Sequence, residues 1–453
     1  MEVKQRPYLE ADGDEVDCAY FLNESEYASG FLRLPNPSDT GRVRFLEDVP
    51  DLARLQSEPS LDPIGVTLSD GKGGGIDACL LDSFVSSTRF SAPLQPQFPI
   101  TLTVNSVVVG SSDPGRAYEE AKLRCPELVG FFAGPDLRPE RAVELGSRGA
   151  LRSAAETDAL RLDLREGVEV DDGGSPEVRL RWYGELVLAG APRPLAEWAG
   201  LLVEHLCLFA FLCDQPLRPG HIYADGNPDR VDFYASWPEP AAPGRTLPLA
   251  LLPEIEDRVE SIVTGWSALL EGAHDLVDHV VNFQLFREQG TWTDHLLSLS
   301  RCLELYFDYS SRFDSKYRPT AEHRILVDEV TDLLPPEFDE EHGEWIRGAL
   351  FNANQKRLVA QVEAILAALG PNVLTACEVG EAIEFARRVK AARNHYTHPN
   401  GPPDDDVPDG RDLVIHMNKL WFVVRACILQ ELGLGSDEIA TRLAQSARRY
   451  LLK

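Results

Sequence analysis

The spacing of apolar residues changes part-way along the chain. Up to about residue 190, apolar residues come in short runs that turn-forming residues separate. The runs at 64–68 and 76–81 predict two strands of a hairpin, and those at 161–168 and 178–188 predict a second hairpin. From residue 254 onward the apolar spacing becomes three and four, which is typical of amphipathic helices.

Two helices are predicted within the strand-rich half. Residues 117–125 predict a short helix, and residues 195–213 predict a longer, mostly apolar one. A membrane span needs about 18 consecutive apolar residues, but Glu197, Glu204 and His205 interrupt this run. We therefore interpret 195–213 as a buried core helix and expect no membrane partner.

A proline-rich segment separates the two patterns. Residues 237–253 contain five prolines, a density that neither a helix interior nor a central strand accommodates. The sequence therefore predicts an α+β protein with two domains. A β-rich N-terminal domain would span 1–245, and an all-α helical bundle would span 254–453.

The charge of the chain restricts the functions that it can have. There are 44 Lys and Arg residues against 73 Asp and Glu, which gives a net charge of −29 at pH 7. Such a field repels nucleic acids at long range, so any function on RNA requires a local group of cations. Eight cysteines occur without a C-x-x-C pair, and the first residues carry no apolar signal core. We therefore expect free thiols and a cytoplasmic protein.

The densest group of reactive side chains is the hexad at 393–398, with the sequence Arg-Asn-His-Tyr-Thr-His. It ends a helix predicted over about 374–397, and the proline after His398 disfavours the α conformation there. Arg393 supplies a guanidinium for a phosphate, and His398 an imidazole that exchanges protons near neutral pH. Asn394 would orient Arg393 or the phosphate. Together these groups suit metal-free phosphodiester cleavage.

The apolar stripe of the same helix also allows a purely structural interpretation. Its members are Val379, Ile383, Ala386 and Val389, and its continuation falls on Arg393. Because a buried unpaired charge is expensive, Arg393 could bond the last helix carbonyls or pair with a carboxylate. The functional interpretation instead expects Arg393 and His398 to converge on an exposed cleft without ion pairs.

Spacing alone does not decide the chemistry. Arg318 and His323 repeat the Arg-x4-His spacing at a helix start, without the asparagine. A metal site is another alternative, since His395 and His398 lie three apart and 404–406 are aspartates. We predict no metal and no cofactor. His395 would then be an auxiliary acid or base, because one imidazole cannot easily fill both roles in one step, or a symmetric second copy would supply the other imidazole.

Three more cations lie on the hexad helix. Arg387, Arg388 and Lys390 provide local positive charge in an acidic chain, which predicts contacts with RNA phosphates there. Compensation of the helix dipole and a solvated face are the other interpretation of the same residues.

Arg393, Asn394 and His398 resemble the signature of the HEPN ribonuclease superfamily, in which a histidine follows an Arg-Asn pair within four to six residues of the arginine. The layout is similar to the ApeA-like group of that superfamily, where a β-rich domain precedes a HEPN bundle. Residues 64–72, Trp266 and the Leu303-Glu304 pair carry further similarity.

The resemblance implies a metal-independent endoribonuclease that attacks RNA with its own 2′-hydroxyl, in defence against phage, with transfer RNA as a candidate substrate. It implies Glu304 as an auxiliary partner of Arg393, and an N-terminal domain that senses a phage-derived or cellular trigger. A homodimer or higher homo-oligomer is expected. Because some HEPN domains are non-catalytic, the alternative is a sensor or scaffold that binds a protein or nucleic acid.

Overall fold

The computed structural model of the protein describes two compact units. The described residues are 15–22, 25–33, 41–45, 64–69, 75–91, 95–111, 113–132, 150–157, 159–171, 179–225, 230–235, 248–286, 290–333, 335, 340–398 and 406–450. The first unit comprises Met1–Pro243 and Ala250–Glu260, and the second comprises Gly244–Leu249 and Ser261–Lys453.

The first unit is built on an antiparallel sheet, which confirms the predicted β-rich N-terminal region. Its described strands are β1 (Glu15–Leu22), β2 (Ser25–Arg33), β3 (Gly41–Phe45), β4 (Ile64–Ser69), β5 (Gly75–Ser91), β6 (Gln95–Val109), β7 (Ala117–Cys125), β8 (Ala150–Glu156), β9 (Leu160–Asp171), β10 (Arg179–Pro194), β11 (His221–Ala224) and β12 (Val231–Ala235). Their order is β3-β2-β1-β4-β5-β6-β12-β11-β7-β10-β9-β8. A further β3–β6 pairing joins the first six strands into a ring.

Both predicted hairpins are present. Strand β4 pairs with β5, with Ile64 opposite Leu80, and β9 pairs with β10, with Leu164 opposite Leu186. The turns between these strands, at 70–74 and 172–178, lie outside the described residues. Alternation of apolar residues and the turn residues between the runs were sufficient to predict these local pairings.

The short helix predicted at 117–125 is wrong, because this segment is strand β7. Its odd-numbered residues Ala121, Leu123 and Cys125 are fully buried, whereas Lys122 and Arg124 take part in ion pairs on the other face. The glutamates and lysine favour a helix locally, but pairing with β10 and β11 overrides that preference.

Leu195–Cys213 forms helix α1, which packs on β7, β10, β11 and β12. Trp198 is fully buried, and its indole N–H donates to the Tyr118 carbonyl at 2.7 Å. By length and composition this helix could cross a membrane, but 61% of its most apolar window is buried inside the protein. That burial agrees with the interpretation of 195–213 as a core helix.

The second unit is helical, as predicted. Of the described helices after α1, α2 (Leu252–Ile255) lies in the first unit, and α3 (Val259–Gly272) begins at its end and continues in the second. The others, all in the second unit, are α4 (His274–Phe286), α5 (Trp292–Tyr309), α6 (Thr320–Thr331), α7 (Glu340–Asn352), α8 (Leu358–Leu369), α9 (Pro371–Ala376), α10 (Ala382–Thr397), α11 (Gly410–Glu431) and α12 (Ser436–Tyr450). The helices α5, α8, α10 and α11 form its centre: α10 packs on α8 and α5, and α11 packs on α5, α8 and α12.

The single helix predicted over 374–397 is divided in two. Helix α9 ends at Ala376, and α10 begins at Ala382. Between them Glu378 and Gly380 have φ values of 52° and 73°, a left-handed conformation that a right-handed helix cannot continue. The division frees α10 to take its own direction across α5 and α8.

Close packing of α3 on the end of α11 gives a test of the helical unit. A Cβ on Gly265 would lie 2.7 Å from the Glu431 carbonyl oxygen and 3.1 Å from the Leu432 Cα. Both neighbours are backbone, so we expect Gly265→Ala to destabilise the protein by about 1–3 kcal/mol through overpacking. Chemical denaturation followed by circular dichroism measures the change.

Gly348→Ala is the matched control for that substitution. Gly348 also lies inside a helix, but a Cβ there meets no described atom within 4 Å, so alanine should stabilise by about 0.5–1 kcal/mol. Equal effects of the two substitutions would contradict the close α3–α11 contact.

Candidate functional site

Helix α10, whose C-terminal end carries the hexad, has one buried face. Phe385, Ala386, Val389 and Ala392 are at most 3% exposed, and the helix packs on α5 and α8. Ile383 is 40% exposed, so the predicted stripe is rotated from the observed one. Arg393 follows the buried Val389 by four residues and therefore lies in line with the packed face, at its C-terminal border, where its side chain is 40% exposed.

Hydrogen bonds fix the backbone of the hexad at the end of α10. The Thr397 hydroxyl donates to the Arg393 carbonyl at 2.6 Å, and the His398 backbone N–H donates to the Asn394 carbonyl at 2.9 Å. His398 has φ −129° and ψ 73°, outside the α region as expected before a proline. The Tyr396 hydroxyl donates to the Pro408 carbonyl at 2.9 Å, which ties the helix end to the segment before α11.

Arg393 forms an ion pair across the helix interface. Its Nη2 lies 3.3 Å from Oε1 of Glu304 on α5, the contact that the family resemblance implied. The expectation of an arginine without ion pairs is therefore wrong. A guanidinium at the border of a buried stripe requires a partner, and the Glu304 side chain, only 15% exposed, is the carboxylate that α5 presents there.

The same carboxylate holds a second arginine, which sequence analysis missed. Nη1 of Arg301 lies 3.0 Å from Oε2 of Glu304, one helical turn away on α5. The available signal was the i,i+3 spacing of an arginine and a glutamate on a predicted helix. Glu304 thus lies between two guanidinium groups, one from its own helix and one from the hexad.

The other predicted residues of the hexad follow Arg393 closely in the sequence but differ in exposure. Asn394 and His398 are exposed, and His395 is half-buried. The His395 ring meets the Tyr396 ring edge to face, with centroids 4.9 Å apart. An arginine and an amide in the last turns of α10, and an imidazole directly beyond its end, therefore stand on solvent-accessible positions.

The comparisons with known proteins place this site in a family. Residues 297–438 match the family described as Apea-like HEPN. They are an Apea-like HEPN domain. No curated protein and no solved structure matches the chain.

The HEPN domain contains Arg301, Glu304 and the whole hexad. HEPN domains are a family of ribonucleases often found in defence systems, with RNA as the implied substrate and frequent dimerisation. The family therefore implies RNA cleavage, and an exposed arginine and histidine at a helix end are suited to that chemistry.

The cations predicted to bind RNA differ in their availability. Arg388 pairs with Asp412 of α11, which gives it a role in holding α10 and α11 together. Arg387 and Lys390 are exposed, and within the described part of the chain no ion pair engages either of them. These two side chains are the ones that could meet a phosphate without first leaving a carboxylate.

Another Arg-x4-His pair of the HEPN domain, Arg318 and His323, is structural. Nε2 of His323 bonds the Leu350 carbonyl at 2.9 Å, linking α6 to α7. The backbone N–H of Arg318 donates to the Asn354 side chain at 3.0 Å. Its histidine is therefore used in helix packing, and the hexad is the pair with an exposed imidazole.

The metal alternative rests partly on residues outside the described ranges, since 404 and 405 are among them. Among the described residues, no group of three or more His, Cys, Asp or Glu side chains could hold a metal ion. The described part of the HEPN site offers an imidazole and guanidinium groups as its chemistry.

The first unit carries a polar cluster that the sequence did not reveal. The Tyr223 hydroxyl donates to Oε1 of Glu185 at 2.6 Å, and Nε of Arg124 lies 3.3 Å from the same oxygen. Nε2 of His221 lies 2.9 Å from Oδ1 of Asp232. These residues come from β7, β10, β11 and β12, so only the strand order brings them together.

A buried histidine of α11, in contact with α10, makes the stability of the HEPN domain depend on pH in the acid range. His416 is 3% exposed, and its ring packs on Phe385 with centroids 5.0 Å apart. Burial, reinforced by the nearby Arg388 charge, lowers the pKa of His416 from 6.5 to about 4. The unfolded chain therefore binds a proton between these pH values that the folded chain does not.

We expect the free energy of unfolding to fall as the pH drops from about 6.5 towards 4, with His416 contributing on the order of 3 kcal/mol. His416→Leu removes this titration, so its stability should decline less steeply over the same pH window. Urea denaturation at several pH values measures both slopes. Parallel profiles for the two proteins would show that His416 is not the acid-sensitive group.

Proposed function

We propose that the protein is a metal-independent HEPN endoribonuclease that cleaves RNA in defence against phage, with transfer RNA as a candidate substrate. One observation carries the proposal: an Apea-like HEPN domain holds the complete Arg393, Asn394 and His398 set at the exposed end of α10. The ion pair to Glu304 holds the guanidinium of Arg393 at that end.

The reaction is an internal transesterification. The RNA 2′-oxygen attacks phosphorus and forms a new P–O bond, while the bond to the 5′-oxygen of the next nucleotide breaks. The products are a 2′,3′-cyclic phosphate and a 5′-hydroxyl. His398 would accept the 2′-hydroxyl proton or protonate the leaving 5′-oxygen. Arg393 would stabilise the charge that builds on the phosphate, and Asn394 would orient Arg393 or the phosphate.

Acid and base roles require a second imidazole. His395, half-buried beside Tyr396, is one source within the same hexad. A second copy of the chain is the other, since two α10 ends related by a twofold axis would bring two histidines to one phosphate. We therefore propose a homodimer or higher homo-oligomer as the working form.

Local cations offset the charge of the whole chain at the proposed site. The net charge of −29 disfavours approach of RNA. Arg387 and Lys390 are exposed on the same helix as the hexad and would bind flanking phosphates. The affinity for RNA should consequently be modest and strongly salt-dependent.

The β-rich region at 1–245 is proposed to sense a phage-derived or cellular trigger and to regulate the helical domain at 254–453.

A non-catalytic sensor or scaffold is the second candidate function. The observation that favours it is the Glu304–Arg393 ion pair, which partly occupies the guanidinium needed for a phosphate. In that case the HEPN domain would bind a protein or nucleic acid and turn over no RNA.

Incubation with transfer RNA in excess chelator tests the nuclease proposal. We expect cleavage with 2′,3′-cyclic phosphate ends, and loss of at least about 100-fold in rate for His398→Ala and Arg393→Ala, because general acid–base catalysis and charge stabilisation are each worth roughly this much. The cyclic ends distinguish this chemistry from metal-dependent hydrolysis.

Two matched variants control for folding. Arg318→Ala removes an exposed arginine from another Arg-x4-His pair, and His274→Ala removes an exposed histidine of α4. Both should cleave at the wild-type rate. If His398→Ala also cleaved at that rate, the role assigned to His398 would be wrong. If the wild-type protein bound RNA without cleaving it, the scaffold function would be favoured.

A further inference from the structure

The ion pairs around Glu304 contain more positive charge than the structure needs. Arg393 alone, 3.3 Å from Oε1, can neutralise this carboxylate. Arg301 adds a second guanidinium 3.0 Å from Oε2. Two cations and one anion leave a local charge of +1 in a chain whose net charge is −29.

The exposure of the three side chains indicates where the excess charge points. Glu304 is 15% exposed, whereas Arg301 and Arg393 are 50% and 40% exposed. The carboxylate is therefore the inner member of the group, and the two guanidinium groups lie on its solvent side. Each retains N–H groups that Glu304 does not use, because a guanidinium has five donors.

A stabilising role alone explains Arg301 poorly. Exposed ion pairs between residues three apart on a helix contribute little to stability, and Glu304 keeps Arg393 as a partner without it. An arginine beside an occupied carboxylate is instead suited to a second anion, since guanidinium forks bind phosphate oxygens in pairs.

We propose that Arg301 is a second phosphate-binding residue of the RNA site, next to the phosphate that Arg393 contacts. The inference rests on the proposed function and adds a residue to it. Glu304 holds the two guanidinium groups side by side, one on each carboxylate oxygen, so that they meet successive phosphates of one RNA strand. Arg301 thereby extends the site from α10 onto α5.

Binding of a 2′-O-methylated RNA tests this inference separately from cleavage, because the blocked 2′-oxygen cannot attack. Fluorescence anisotropy over a range of salt concentrations gives the Kd and its salt dependence. We expect Arg301→Ala to weaken binding about 3- to 10-fold and to reduce the slope of log K against log salt by about 0.7, the value for one phosphate contact of a single strand. Arg301→Lys keeps the charge and should keep the slope.

Arg312→Ala is the matched control. Arg312 is 41% exposed, and its Nη2 lies 3.8 Å from Oε1 of Glu431, which is 18% exposed. Its ion pair therefore resembles that of Arg393 in exposure but lies on a different carboxylate. We expect Arg312→Ala to bind RNA as the wild-type protein does.

The outcomes separate the two proposals. If the wild-type protein cleaves unmodified RNA but Arg301→Ala binds as Arg312→Ala does, Arg301 is not a phosphate ligand and the nuclease proposal stands. If binding depends on Arg301 while unmodified RNA stays intact, the RNA site stands and the nuclease proposal falls. Absence of any RNA binding by the wild-type protein would overturn both.

Discussion

Burial of one stripe of α10 against α5 and α8 determines where the side chains of the hexad can point. Phe385, Val389 and Ala392 face the interior, and a helix turns 100° per residue. Arg393 follows Val389 by four residues, so it lies in line with the buried face, at the C-terminal border of that face, where its side chain is 40% exposed. Asn394, the next position round the helix, and His398, directly beyond the helix end, are open to solvent. The chemistry of the candidate site is thus a consequence of which apolar residues precede it.

The border position of Arg393 also explains the ion pair with Glu304. A guanidinium there is too close to the apolar interface to remain without a partner and too exposed to be sealed inside. Glu304 on α5 pairs with it at 3.3 Å, which links the two helices that define the site. The pair is compatible with both proposed functions, since a phosphate can share a guanidinium that a carboxylate only partly occupies.

Different residues determine the negative charge of the whole chain and the positive charge of the site. The net charge of −29 is a property of the whole sequence, whereas an RNA phosphate at the end of α10 experiences charges within about one Debye length. Within the HEPN domain, Arg301 and Arg393 share one carboxylate. Lys390 is exposed on the hexad helix. A protein can therefore be strongly acidic and still present a cationic site of a few residues.

Local signals in the sequence were sufficient for the fold class and for the centre of the candidate site. Alternating runs predicted β4, β5, β9 and β10, and spacings of three and four predicted the helical region. They failed at β7, where the strand is stabilised by its neighbours β10 and β11. They failed again at the break between α9 and α10. There Glu378 has a positive φ, which interrupts the helix although the spacing of apolar side chains predicts that it continues.

The sequence by itself determined the composition of the hexad, its place at a helix end and the Arg-Asn-x-x-x-His signature that resembles HEPN ribonucleases, because all three depend on residues close together in the chain. Only the tertiary structure decided that Arg393 pairs with Glu304, that Arg388 pairs with Asp412 and that Arg301 belongs to the same group. The first two contacts join residues on different helices, 89 and 24 positions apart, and helix packing alone sets such distances.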